Sequence, residues 1–302
     1  MHPFTEKYGD ARYMVVIFDW HDPLSVIIHP KRIRMQRIIA GLALGASTLV
    51  TVAPAQAAPI NPVKALERQL SPGHGVRFSM STRVVTESSA IFRVSGTLEF
   101  GKSGIIAADQ STRFHRAKGM KQSAWDEYAS LTPKRELVHG GYLYGRGGDL
   151  DARLPAKKWI RYGPGHSARS PQEIDTFRVK QLQKLVADAK YVKGAYRGSI
   201  TWTELRELNG EEGIDGDVGK TRIDYLLDTD SKGLVHRLVS KWTVRAGGGR
   251  PDVILTETRF TDWGTKVAIK APPESEWIDA KDLTDTPQDT ANNSIDLLGQ
   301  NR

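Results

Sequence analysis

The sequence predicts an α+β domain whose core is a consecutively paired antiparallel sheet. Three observations support this. Apolar and polar residues alternate with a period of two from Gly75 to Ala117. The same alternation returns from Thr221 to Phe260, interrupted by short polar turns. Between these two regions, Pro171 to Ala189 carries apolar residues at helical rather than strand spacing.

The elements follow in order. Asn61 to Leu70 is a short helix candidate stopped by Pro72-Gly73. Val76, Phe78, Met80 and Val84 share one parity, with Arg77, Ser79 and Ser81 on the other. Ile91 to Phe100 repeats the pattern, Gly101 to Gly104 supplies a turn, and Ile105 to His115 runs back. Glu136 to His139 and Tyr142 to Arg146 flank Gly140-Gly141, and Lys157 to Tyr162 makes another short strand. In the predicted helix, Ser170-Pro171 reads as an N-cap and first-turn pair. Strands then follow at Ala195 to Leu208, Thr221 to Asp228, Leu234 to Val244 and Val253 to Phe260. Ala271-Pro272-Pro273 is read as the end of the sheet, and residues 282–302, polar and rich in breakers, as a disordered tail.

The N-terminal region reads as a targeting segment. Lys31 to Arg37 is basic, Ile38 to Val52 is uncharged, and Ala55-Gln56-Ala57 is a small-x-small cleavage site. As a helix, the apolar run rises only about 22 Å, short of a hydrocarbon core of about 30 Å. Residues 35–57 are therefore expected to be a signal peptide cleaved before Ala58, leaving no transmembrane anchor. Residues 1–34 contain Asp10, Asp19 and Asp22 and are expected to come from a mis-assigned upstream start. One domain is expected over 58–281, secreted or retained outside the cytoplasm in the cell envelope.

The 302-residue chain carries 43 Lys+Arg against 35 Asp+Glu, a net charge of +8. Six of those bases and four of those acids precede Ala58, so a chain beginning there carries a modest +6. Cysteine is absent, which removes disulfides, thiol catalysis, thiolate metal sites and a cysteine lipid anchor.

Catalytic signatures are also missing: the sequence contains no G-x-S-x-G, H-E-x-x-H, Walker loop or G-x-G-x-x-G. His74, His115, His139, His166 and His236 are single and widely spaced. Asp228-x-Asp230-x-Lys232-Gly233 begins like a calcium loop, but Lys232 and Val239 stand where oxygen ligands are needed, so a hairpin turn explains it. The acidic stretch Glu211 to Asp217 reads as a solvated loop. Arg77, Arg83, Arg93, Arg113 and Arg116 read as a solvated strand face, with attraction to anionic headgroups or wall polymers as the functional alternative. No nucleic-acid-binding motif is present. No enzyme activity, cofactor or metal is expected.

The C-terminal half carries a resemblance. Thr221 to Asp228 (TRIDYLLD), Lys232 to Leu238 (KGLVHRL), Phe260 to Val267 (FTDWGTKV) and Ala271-Pro272-Pro273 resemble the end of LppX/LprG-type actinobacterial envelope lipoproteins. Gly140 to Tyr144 and Lys158-Trp159 are similar to the paired strands of the same group, within the wider LolA/LolB-like lipoprotein-carrier fold. The resemblance implies a strongly curved antiparallel half-barrel with helices packed on its concave face and an apolar cavity for acyl chains between them. It departs from those lipoproteins where their lipobox cysteine would stand, at Ala55 to Ala58. Asp262-Trp263-Gly264 is expected to pack Trp263 at the sheet edge and turn the chain at Gly264. The expected function is a lipid- or lipophile-binding carrier, with Ile174, Phe177, Leu182 and Leu185 as ligand-cavity candidates. The alternative is an extracytoplasmic interaction or sensor module that binds a cell-envelope protein.

Overall fold

The computed structural model describes residues 60–84, 90–115, 134–147, 158–214, 216–244 and 251–283. The signal segment, the stretch before it, Arg116 and residues 284–302 lie outside the described residues. The first meander contains β1 (His74–Val84), β2 (Ala90–Phe100), β3 (Ile105–Phe114), β4 (Arg135–His139), β5 (Tyr142–Arg146) and β6 (Trp159–Tyr162). The second contains β7 (Lys190–Val192), β8 (Ala195–Thr201), β9 (Arg222–Thr229), β10 (Val235–Val244) and β11 (Asp252–Lys266). A last strand, β12 (Trp277–Asp279), lies parallel to β6. All twelve form one curved, unclosed sheet in the order β12-β6-β5-β4-β3-β2-β1-β11-β10-β9-β8-β7. The two meanders meet where β1 pairs with β11, and every other described pairing except β6 with β12 is antiparallel. This is the α+β half-barrel that the alternation and the resemblance imply.

Strand parity divides the sheet into two faces. Val76, Phe78 and Met80 on β1, Val94, Leu98 and Phe100 on β2, and Ile223, Tyr225 and Leu227 on β9 are buried on the concave face. The helices α1 (Pro62–Glu67), α2 (Val179–Asp188) and α3 (Trp202–Asn209) contribute Leu66, Leu182, Leu185, Trp202 and Leu205 to the same core. A four-residue turn of helix, α4 (Gly216–Gly219), follows. Among the described residues, no helix is long and apolar enough to cross a membrane.

Four elements differ from the sequence expectation, each for a local reason. The helix expected over 171–189 begins only at Val179. Upstream of it, Phe177 N donates to Asp175 Oδ1 (2.9 Å), and the Asp175 amide is taken by the Gln181 side chain. These local bonds compete with the helical ladder. The strand expected over Ala195 to Leu208 stops at Thr201. There a capping box with Glu204 starts α3, which ends at Gly210 in the left-handed region (φ 77°). Asp262-Trp263-Gly264 does not reverse the chain, because β11 runs on through it to Lys266. The pairing of β1 with β11 jumps from Gly75–Thr265 to Arg77–Thr261, so these residues form a bulge in the part of β11 beyond its pairing with β10, with Asp262 at φ 55° and Gly264 at φ 76°. Finally, the sheet does not end at Ala271-Pro272-Pro273. Residues 267–276 cross the convex face, and the chain adds β12 beyond them. The turn at Asp228 to Gly233 is a hairpin, with Asp230 Oδ1 accepting from the Lys232 and Leu234 amides at 2.8 and 2.9 Å.

Candidate functional site: the concave face and its strap

The concave face is apolar along most of its length, but its centre carries hydroxyls. Ser240, Thr256 and Thr82 stand in one row across β10, β11 and β1, and Thr258 is two residues along β11. All four are buried, and Thr82 and Thr256 hydrogen-bond each other at 3.0 Å. A hydroxyl on a core face needs a partner, because an unpaired one costs about 1–3 kcal/mol. The segment 170–178, here called the strap, supplies one. Gln172 donates from Nε2 to Thr258 Oγ1 and accepts at Oε1 from Ser240 Oγ, both at 2.7 Å.

The strap is irregular backbone lying inside the core. Ser170, Gln172, Ile174, Asp175, Thr176 and Phe177 are all buried along it. Phe177 fills the space over the sheet, with its ring centre 5.1 Å from Phe260, 5.6 Å from Phe100 and 5.6 Å from Trp263. The bulge at 262–264 delivers Trp263 to this cluster, and the indole Nε1 donates to the Val235 carbonyl at 3.1 Å. The fully buried pair Leu182 and Leu185 continues the cover on α2. The Leu185 carbonyl accepts from Tyr225 OH at 2.7 Å, and burial pushes that phenol up to about 12.

Polar groups inside the strap make it a costly core filler. Burial raises the Asp175 carboxyl above its ordinary value, against the opposing hydrogen bond from Phe177 N and the nearby Arg178 guanidinium (3.4 Å). Thr176 Oγ1 is buried with no hydrogen-bond partner among the described residues. Farther along the same face, burial raises the Glu136 carboxyl, which accepts from Gln110 Nε2 at 2.8 Å. Burial, together with the Glu136 charge, pushes the Tyr162 phenol up to about 12.

All four expected site residues thus lie in one core, but on two different supports. Leu182 and Leu185 project from α2, whereas Ile174 and Phe177 belong to the strap. The periodicity did not identify Gln172, Asp175 or the hydroxyl row. Among the described residues, no group of three His, Asp or Glu side chains is placed to hold a metal ion.

No family model and no curated protein matches the chain. Among solved structures, it is similar to the Mycobacterium tuberculosis lipoprotein LppX, with 12% identity and a TM-score of 0.34 over 69% of this chain and 96% of that one. It is also similar to a LolA superfamily protein from Nitrosomonas europaea, with 9% identity and a TM-score of 0.27 over 71% and 94%. An S-type phycobiliprotein lyase from Guillardia theta follows, with 8% identity and a TM-score of 0.21 over 68% and 94%. Likenesses this loose carry no argument about a ligand, so the functional reading rests on this chain's own residues.

Proposed function

We propose that the protein is a non-enzymatic, extracytoplasmic carrier that holds a lipophilic ligand against the concave face of its sheet. The observation that carries this reading is the strap. An irregular segment with a buried carboxyl and a hydroxyl that has no partner among the described residues fills an apolar, aromatic-lined space, and Gln172 seats it on the sheet. An acyl chain entering between Phe100, Phe260 and Trp263 takes the place of Phe177 and Ile174. Leu182 and Leu185 then line its other side, and the hydroxyls of Ser240 and Thr258, freed from Gln172, meet its polar end. Concave apolar sites with a few placed polar groups are the usual form of small-molecule pockets.

Titration with a fluorescent fatty acid, together with native mass spectrometry of protein purified from its own host, tests the reading. Saturable binding and a co-purified lipophile are expected. A protein that neither retains lipid nor binds the probe refutes it. N-terminal sequencing of the exported chain is expected to begin at Ala58.

A second reading, a protein-interaction module, draws on the open edge at β7, where Tyr191 and Val192 are 40% and 43% exposed.

A further inference from the structure

On the convex face, a groove of about 540 Å³ opens between the first meander, the end of β11 and the crossing segment 267–276. Its lining includes Arg77, Arg135, Arg146, Lys266 and Lys270, against two carboxylates, Asp109 and Glu276. Strand register creates the core of this cluster. Arg135 and Arg146 are direct cross-strand partners, a placement that is unfavourable for like charges. Both guanidinium groups also stand over the buried Trp159 ring, at 5.4 and 4.9 Å from its centre. Among the described residues, Asp109 forms a two-pronged bridge to Arg135 alone, at 2.9 and 2.6 Å. Arg77 is drawn to Asp262 at 3.5 Å. Among the described residues, Arg146, Lys266 and Lys270 form no ion pair.

We propose that this groove is a binding site for a phosphoryl group, as a phosphomonoester or a phospholipid headgroup. One carboxylate satisfies one guanidinium fork, as Asp109 does for Arg135. A second fork and two ammonium groups along the same groove call for an anion with more oxygens and more charge, which a phosphoryl group has. The Trp159 ring holds both guanidinium groups in place before any ligand arrives, which lowers the entropy lost on binding. A groove lined mostly by one sign of charge also concentrates anions near it. This inference is independent of the lipophile reading, because the groove lies on the opposite face of the sheet from the strap.

The test uses the full chain and three variants. Arg146→Gln and Lys270→Gln each remove one groove cation that has no ion pair among the described residues, and Arg93→Gln, on the same face but not among the groove's lining residues, is the control. Each protein is titrated with glycerol 3-phosphate by calorimetry and co-sedimented with phosphatidylglycerol vesicles, with phosphatidylcholine vesicles as the blank. Binding of at least one phosphoryl probe is expected, weakened about tenfold by Arg146→Gln and by Lys270→Gln, as for loss of one charge-assisted contact. Arg93→Gln is expected to leave it unchanged. Response to glycerol 3-phosphate identifies a soluble phosphomonoester as the ligand, and response to vesicles alone identifies a headgroup. No binding of either probe overturns the proposal. Equal weakening by Arg93→Gln also overturns it, because the attraction would then belong to the whole basic face. Circular dichroism of each variant checks folding, and the two groove variants on separate elements keep the test decisive if one of them unfolds.

Discussion

Two segments cover the two faces of this sheet, and they hold on in different ways. The strap 170–178 on the concave face inserts Phe177 and Ile174 into an aromatic core, and Gln172 hydrogen-bonds it to the sheet. The segment 267–283 on the convex face packs Ile269, Ala271 and Trp277 against the buried Leu137, Tyr144 and Trp159, and directional bonds tie it down as well. The Ile269 amide donates to Glu99 (2.7 Å), and β12 adds to β6. Asp279 accepts a two-pronged bond from Arg161, whose guanidinium lies 3.6 Å from the centre of the Trp277 ring. Apolar burial is strong but non-directional, so an acyl chain can substitute for it. Strand pairing and bidentate bonds are directional, and a lipid cannot replace them. On the proposed function, the cover that a lipid replaces is the one on the concave face.

The largest expected effect follows from Phe177→Ala. It removes a fully buried ring and should cost the closed strap about 3–5 kcal/mol. Hydrogen exchange is expected to show the amides of 170–178 opening faster, while fatty-acid binding tightens because less has to be displaced. A whole-molecule loss of that size with no lipophile binding would make the strap permanent core and end the contrast.

Gln172→Ala should have the next largest effect. It leaves the Thr258 and Ser240 hydroxyls without their partner and should weaken closure by about 1–3 kcal/mol, read by the same exchange measurement.

The pH response should be smaller and of opposite sign on the two faces. Burial raises the Asp175 carboxyl, so the folded state holds that proton more tightly than the unfolded chain does. Closure therefore strengthens as pH falls through the raised value and weakens as pH rises through it, and Asp175→Asn should flatten this dependence. On the convex face, hydrogen bonding from Arg237, reinforced by the Arg237 and Arg259 charges, lowers the Glu257 carboxyl. Its contribution is present above the ordinary carboxylate value and is lost as pH falls through the lowered one. Denaturation midpoints of Asp175→Asn and Glu257→Gln across pH should separate the two.

The smallest effect on global stability is expected from Trp277→Ala. It should release β12 and speed limited proteolysis within 267–283, while the denaturation midpoint of the sheet stays close to that of the parent.

Much of the sheet was legible because half-buried strands impose a period of two, and Val76, Phe78 and Met80 show it without tertiary help. Other features depended on contacts distant in sequence. Pro171 to Phe177 has helical spacing, yet Asp175 and Gln181 satisfy its backbone differently, so Ile174 and Phe177 reach the core from an irregular segment and not from the expected helix. The capping box Thr201-x-x-Glu204 was visible but overshadowed by the alternation through Tyr196, Ile200 and Trp202. Three-residue β12 is too short to carry a period. The basic groove has no motif, because Arg135, Arg146 and Lys270 meet only through sheet register and the path of the crossing segment.

The seam between β1 and β11 has a consequence for how the molecule comes into being. Thr82 and Thr256, which touch across it, are 174 positions apart, whereas most other neighbouring strands are joined by short turns. Each meander can zip up locally, but joining them must close a loop spanning most of the domain, which raises contact order and slows folding. Until residue 252 onward has been synthesised, β1 and β10 both expose bare strand edges that invite pairing with other chains. A chain cut short before β11 therefore loses more than one strand: it becomes two half-sheets with adhesive rims, and a helper that shields those rims during synthesis would govern its yield.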